Sequence, residues 1–182
     1  MQSHQDPYEP SPWPLYYDAL GMPIYQPPML LKPSTTVIIY EPYVQSMAVT
    51  WRVVCQHRRD NHYWSFIGGA QEIGESLPAC ALRETQEETG LQVRLERICC
   101  IDSDPAQGAV MQYPDGNIIQ YTNVTFLARS LTPPEATPLY WHPDEAVTVG
   151  WFPLDALPQP FTPSHRWRLQ QALALNQHPP IR

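Results

Sequence analysis

No stretch of the sequence is apolar for the roughly 20 residues that a helix needs to cross a bilayer, so no membrane span is expected. The first ten residues, MQSHQDPYEP, carry neither a basic stretch nor an apolar one, which argues against a secretory leader. Positive charge is scarce: Lys and Arg total 11 against 18 Asp and Glu, a net charge of −7. An acidic chain of this kind is a poor partner for long nucleic acid. A small phosphate ester held through a metal ion is compatible with that charge. The four cysteines, Cys55, Cys80, Cys99 and Cys100, include no C-x-x-C pair, which excludes a disulfide framework and a zinc site. Buried, reduced thiols in a cytoplasmic protein are expected instead. None of the six histidines has a partner at metal-ligand spacing, and they read as surface or packing residues.

Hydrophobic residues make up 43% of the 182-residue chain, enough for the core of one domain. The 22 prolines gather in residues 1–33 and again from Pro133 onward. Residues 1–33 therefore read as a Pro/Tyr-rich extension and residues 34–182 as the main domain. Tyr8, Trp13, Tyr16, Tyr17 and Tyr25 are too many aromatics for a free tail. This segment is expected to dock on the domain or on a second subunit. A short helix through Leu15, Tyr16, Ala19 and Leu20, ending at Gly21, is expected within it.

Thr35–Tyr40 reads as a buried strand and Met47–Cys55 as a second, with Met47, Val49, Trp51, Val53 and Cys55 on one face. A connection across Glu41–Ser46 makes the two a hairpin. Val93–Ile101 and Ile118–Ala128 read as further strands, with a tight turn at Tyr113–Asn117 built on Asp-Gly. Leu131–Pro143 is a Pro-rich loop and Val147–Phe152 a short strand. Thr162 and Pro163 supply an N-cap and first turn for a last helix to about Leu175. Such an irregular mixture of hairpins and helices predicts a mixed sheet covered by helices.

The informative stretch is GAQEIGESLPACALRETQEETGL, residues 69–91. Ser76 as N-cap, Pro78 in the first turn and Gly90 just past the end predict a helix over Leu77–Thr89. Glu84, Glu87 and Glu88 then share one face near the helix C-terminus. Like charges at i, i+4 cost about 0.2–0.5 kcal/mol, and anions belong at the opposite end of the helix dipole. An all-oxygen cluster suits a hard divalent cation. Taken alone, three glutamates are better explained as a solvated acidic face with no function.

Their surroundings favour the first account. Gly69, Glu75, Arg83, Glu84, Glu87, Glu88, Gly90 and Leu91 stand at every fixed position of G-x5-E-x7-R-E-U-x-E-E-x-G-U, with Thr85 at the first aliphatic (U) place. The chain resembles the Nudix hydrolases over roughly residues 35–175. Ile67 stands before Gly68–Gly69 where that family commonly has Pro. The resemblance implies an α/β fold, an α/β/α sandwich around a mixed β-sheet. It implies Mg²⁺-dependent pyrophosphohydrolysis, with Mn²⁺ as a substitute, of a nucleoside diphosphate linked to another moiety X. ADP-ribose-like compounds, nucleotide sugars and nucleoside di- or triphosphates all qualify. By position, Glu84, Glu87, Glu88 and the Gly68 carbonyl are the implied metal ligands. Arg83, pairing with Glu75, orients them. The general base that the resemblance implies is a box glutamate or a carboxylate on a later loop, where Glu145 and Asp144 are the candidates and Glu135 a weaker one. Arg52 and Arg58 are candidates for phosphate contact, and Tyr113, Tyr121 and Trp141 for stacking on a base. A homodimer through the N-terminal extension is expected by analogy. The alternative is a non-catalytic sensor of a nucleotide metabolite.

Overall fold

The run Val37–Ile38–Ile39 feeds two different cores. Val37 and Ile39 pack with Ala81 and Leu91, whereas Ile38 packs with Leu169 and Ala172. That alternation is the two-residue period of a strand buried on both faces. It places one helix on each side of a sheet. The computed structural model describes residues 16–174, apart from 46, 114, 134 and 137.

In chain order the elements begin with β1 (Tyr16–Tyr17), β2 (Pro23–Ile24), β3 (Leu30–Gln45), β4 (Ala48–Arg58) and β5 (Trp64–Ser65). Helix α1 (Leu77–Thr89) follows, then β6 (Val93–Asp102), a 3-10 turn at Pro105–Gln107, β7 (Val110–Gln112) and β8 (Ile118–Ser130). The last elements are β9 (Ala146–Pro153) and α2 (Pro163–Leu173). Seven strands form one mixed sheet in the order β5-β4-β3-β8-β6, with β7 beside β8 and β9 beside β4. β3 and β8 run parallel, and the other pairs are antiparallel. The expected α/β/α sandwich is therefore present, α1 covering one face and α2 the other.

β3 changes partner along its length. Leu30–Ile39 pairs with β8, and Tyr40–Gln45 pairs with β4. It runs unbroken across position 33/34. The hairpin is tighter than expected, because pairing continues to Gln45↔Ala48. Nor is the predicted face of Met47–Cys55 buried throughout. Val53 and Cys55 are, but Met47, Val49 and Trp51 are exposed, since neither helix layer extends over that end of the ribbon.

The expected helix is not formed over Tyr16–Leu20, and Leu15 lies outside the described residues. Tyr16–Tyr17 and Pro23–Ile24 pair as a two-stranded hairpin instead. The Asp18 carboxylate explains the difference, accepting the N–H groups of Leu20 (2.9 Å) and Met22 (2.8 Å) across a turn closed by Gly21 at φ 81°. Ile24 then buries itself against Val110 and Ile118 of the same chain. The expected crossing of the extension to a partner falls mostly on residues 1–15, which lie outside the described residues. Tyr8 and Trp13 lie there too.

Tyr113–Asn117 makes the predicted turn, with the Tyr113 N–H donating to the Asn117 carbonyl at 2.8 Å. All four cysteines are buried. α2 starts where expected, but the Thr162 hydroxyl donates to the Trp64 carbonyl rather than capping the helix.

Candidate metal and substrate site

α1 is specified by its ends. The Ser76 hydroxyl accepts the Ala79 N–H at 3.3 Å, and Gly90 takes the left-handed conformation at φ 72°, donating its N–H to Gln86. Thr85, polar where an aliphatic residue is usual, is fully buried, and its hydroxyl donates to the Ala81 carbonyl at 2.8 Å. A satisfied hydroxyl leaves its methyl free for packing. The helix therefore presents Glu84, Glu87 and Glu88 toward the loop that precedes it.

That loop is pinned to β3. Val37 donates to the Ile67 carbonyl at 2.8 Å and Thr35 to the Gly69 carbonyl at 2.9 Å. Gly68, between them, sits at φ 144°, and a Cβ there would stand 2.1 Å from the Thr35 carbonyl oxygen. Only glycine fits. A Cβ on Gly69 would meet the Glu84 carboxylate at 2.4 Å. Both glycines thus permit close approach, Gly68 to a strand and Gly69 to a glutamate. Among the described hydrogen bonds, none ends on the Gly68 carbonyl.

Glu88 is buried beneath this loop. Its carboxylate accepts the Gly68 N–H at 2.9 Å and the Gln56 amide at 3.1 and 3.2 Å. Burial nevertheless outweighs these bonds and the attraction of Arg58. It pushes the Glu88 carboxyl up to about 7, with the charge of Glu84 adding to the rise. The Glu84 carboxyl is also raised. Burial is the main cause, opposed by Arg83 and reinforced by the charges of Glu87 and Glu145.

Arg83 binds three carboxylates at once. It holds Glu75 through two bonds of 2.8 and 3.1 Å, and one nitrogen reaches Glu84 at 2.9 Å and Glu87 at 3.0 Å. The two bonds from Arg83 hold the Glu75 carboxyl down at about 2. A further bond of 3.2 Å from Arg83 to the Ala70 carbonyl ties this network to the glycine loop. The charge conflict visible along α1 is thus answered by one guanidinium. Among the described residues, no three acidic, histidine or cysteine side chains already surround a single point. Glu84 and Glu87 face Arg83 instead. The donor set is nonetheless all oxygen, and the buried Glu88 has no ion pair among the described residues. Both features fit a divalent cation of the Mg²⁺ type.

A cleft of about 480 Å³ opens beside the loop, within the usual range for small-molecule sites. The structure brings Arg58, Tyr113 and Tyr121 into its wall together with Gly68 and Gly69. Arg58 is clamped by Asp60, and the Tyr113 and Tyr121 hydroxyls share a 2.6 Å bond. Arg52 and Trp141 do not line this cleft. Arg52 pairs with Glu135 beneath the Trp151 ring, and Trp141 packs against the core on the α1 side. Glu145 and Asp144 occupy an exposed loop. The Glu145 carbonyl accepts the Arg59 N–H at 3.0 Å, and its charge is felt at Glu84. Asp144 lies 3.7 Å from His142.

Two site residues escape a reading of the sequence. Gln56 is buried in β4 and holds Glu88. Its one local signal is an amide that follows directly on the apolar run Val53–Cys55. His165, classed among the packing residues, lines the cleft and accepts the Phe66 N–H on Nδ1 at 3.0 Å. Burial, with Arg168 and Arg58 nearby, holds it well below the usual imidazole range, so it is neutral. It carries its proton on Nε2.

A glycine loop is thus locked to a central strand and followed by a glutamate helix tied back to it by arginine. A family model described as NUDIX domain matches residues 30–172, and the chain belongs to the Nudix hydrolase family. Among curated proteins, it is 39% identical over 54 residues to the dihydroneopterin triphosphate diphosphatase of Escherichia coli (strain K12). That match spans 29% of this chain and only 36% of the relative. Among solved structures, it resembles a MutT NUDIX hydrolase from Burkholderia pseudomallei, with a TM-score of 0.55 and 24% identity over 78% of this chain and 97% of that one. An ADP-ribose pyrophosphatase from Streptococcus suis gives 0.56 and 22%, covering 83% and 98%. A UDP-X diphosphatase gives 0.56 and 19%, covering 87% and 69%. These likenesses concern the fold. Among the described residues, no helix is long and apolar enough to cross a membrane.

Proposed function

We infer that this protein is a Mg²⁺-dependent pyrophosphohydrolase of a small nucleotide derivative, working in the cytoplasm. The observation that carries this reading is the buried Glu88 carboxyl, raised by burial beside the half-buried Glu84 and below a loop whose Gly68 carbonyl accepts no described bond. Burying anions without a matching cation is costly, and a site that keeps them is arranged for one. Gly68, Glu84, Glu87 and Glu88 would hold the ion. When bound, Mg²⁺ supplies charge neutralisation at the phosphates and makes a water more acidic.

The chain's own side chains do the remaining work. Arg83 fixes Glu75 against the loop and aims Glu84 and Glu87, so its part is orientation. Arg58 and the paired hydroxyls of Tyr113 and Tyr121 lie where a phosphate chain and its sugar would pass. His165 Nε2–H is a neutral donor in the same wall. Glu145, on an exposed loop within electrostatic reach of Glu84, takes the water proton. The complete carboxylate set favours an enzyme over a non-catalytic sensor. The test is a release assay for phosphate or nucleoside monophosphate, run over ADP-ribose, nucleotide sugars and nucleoside di- and triphosphates with Mg²⁺ or Mn²⁺. Turnover of at least one compound is expected. Binding without turnover of any would select the sensor.

A further inference from the structure

A second cavity of about 360 Å³ adjoins the cleft. Asp18, Ala19, Gly108 and Ser164 border both. Beyond that shared rim the lining is mainly apolar. Tyr17 comes from the N-terminal hairpin, and Pro163 and Trp167 come from α2.

The hairpin wall is fixed by the chain itself. Asp18 bridges Val110, Ile24 is buried with Val110 and Ile118, and the Asp18 carboxylate locks the turn. Gly108, at φ 91°, lets the Asp18 carbonyl come so near that a Cβ there would stand 2.9 Å from it. At the rim, the buried Ser164 hydroxyl finds no partner among the described residues. A polar group left so is costly unless something else satisfies it.

We propose that the Tyr16–Ile24 hairpin, folded back onto its own domain, forms with α2 a slot for the planar heterocyclic ring of the substrate. This rests on the hydrolase reading above and adds where the ring lies. A phosphate chain in the cleft beside Gly68 leads over the Ser164 rim into this slot. Aromatic walls on two elements suit a flat π-system, which stacks without demanding a particular hydrogen-bond code. A purine, pyrimidine or pterin ring meets that description. The hairpin is then the element that sets specificity, and it acts without a partner subunit.

The test compares ligands that differ only in the ring. Binding of AMP, GMP, CMP, UMP and ribose 5-phosphate to the full chain is measured by calorimetry with Mg²⁺. At least one nucleotide should bind tenfold or more tightly than ribose 5-phosphate. Ala19→Trp, which fills the rim, and Trp167→Ala, which removes a wall, should each cut that preference to threefold or less. Neither should change ribose 5-phosphate affinity by more than twofold. Ribose 5-phosphate binding as tightly as every nucleotide would overturn the proposal, as would a preference that survives both variants. The turnover panel separates the two readings. Turnover with no ring preference defeats the slot and keeps the hydrolase, while ring preference with no turnover does the reverse.

Discussion

Replacing Glu88 with Gln should stabilise the metal-free protein at alkaline pH and do nothing for it in acid. The Glu88 carboxyl is raised from 4.5 to about 7 by burial. A carboxyl whose folded pKa lies above its unfolded value favours folding fully below the unfolded value. That contribution is lost as pH climbs through the folded one. The window is therefore pH 4.5 to 7, and the shift amounts to about 3 kcal/mol at pH 8. The replacement amide carries no charge and escapes this loss. It keeps an oxygen to accept the Gly68 N–H, and Gln56 can turn its amide to present oxygen instead of nitrogen. Weaker neutral hydrogen bonds take back about half the gain, leaving about 1–2 kcal/mol, or about 2–8 °C in Tm. Calorimetry of both proteins in EDTA between pH 5 and 8 reads the gap directly. It should open with pH. A gap of the same size at both ends, or a less stable variant at pH 8, would refute the reasoning.

Other substitutions separate the scaffold from the chemistry. Gly68→Ala forces a Cβ into the Thr35 backbone and should cost about 2 kcal/mol or more of stability, read by urea denaturation. Gly69→Ala meets only the movable Glu84 carboxylate, so it should leave the denaturation midpoint nearly unchanged while weakening Mg²⁺ binding in calorimetry. Arg83→Lys cannot grip Glu75 with two bonds. It should lower kcat by about 10–100-fold with little change in KM. Gln56→Leu removes a bond that holds the Glu88 carboxyl down, so the acidic limb of the pH–rate profile should move to higher pH.

α1 was legible to the residue because its signals are local: Ser76, Pro78 and Gly90 each act within one turn of the helix end. The sheet was legible in kind, since runs such as Thr35–Tyr40 can only be buried strand. The hairpin at Tyr16–Ile24 was not. Its spacing suits a helix equally well, and the choice is made by Val110 and Ile118, far along the chain. Likewise the exposed end of β4 alternates as the buried end does, and only the extent of the helix layers tells them apart. Within the site, the glutamates and Arg83 lie in one contiguous motif. Gln56 meets Glu88 across 32 residues and His165 meets Phe66 across 99. No periodicity encodes such meetings. Arg52 and Arg58 are indistinguishable in sequence, yet Arg58 faces the cleft while Arg52 pairs with Glu135.

The most direct test of the account is nucleotide pyrophosphate cleavage measured with and without Mg²⁺, in the natural protein and in Glu88→Gln. The account predicts turnover that needs the metal and disappears in the variant while its fold persists. Turnover that survives EDTA, or survives loss of the Glu88 charge, would contradict it.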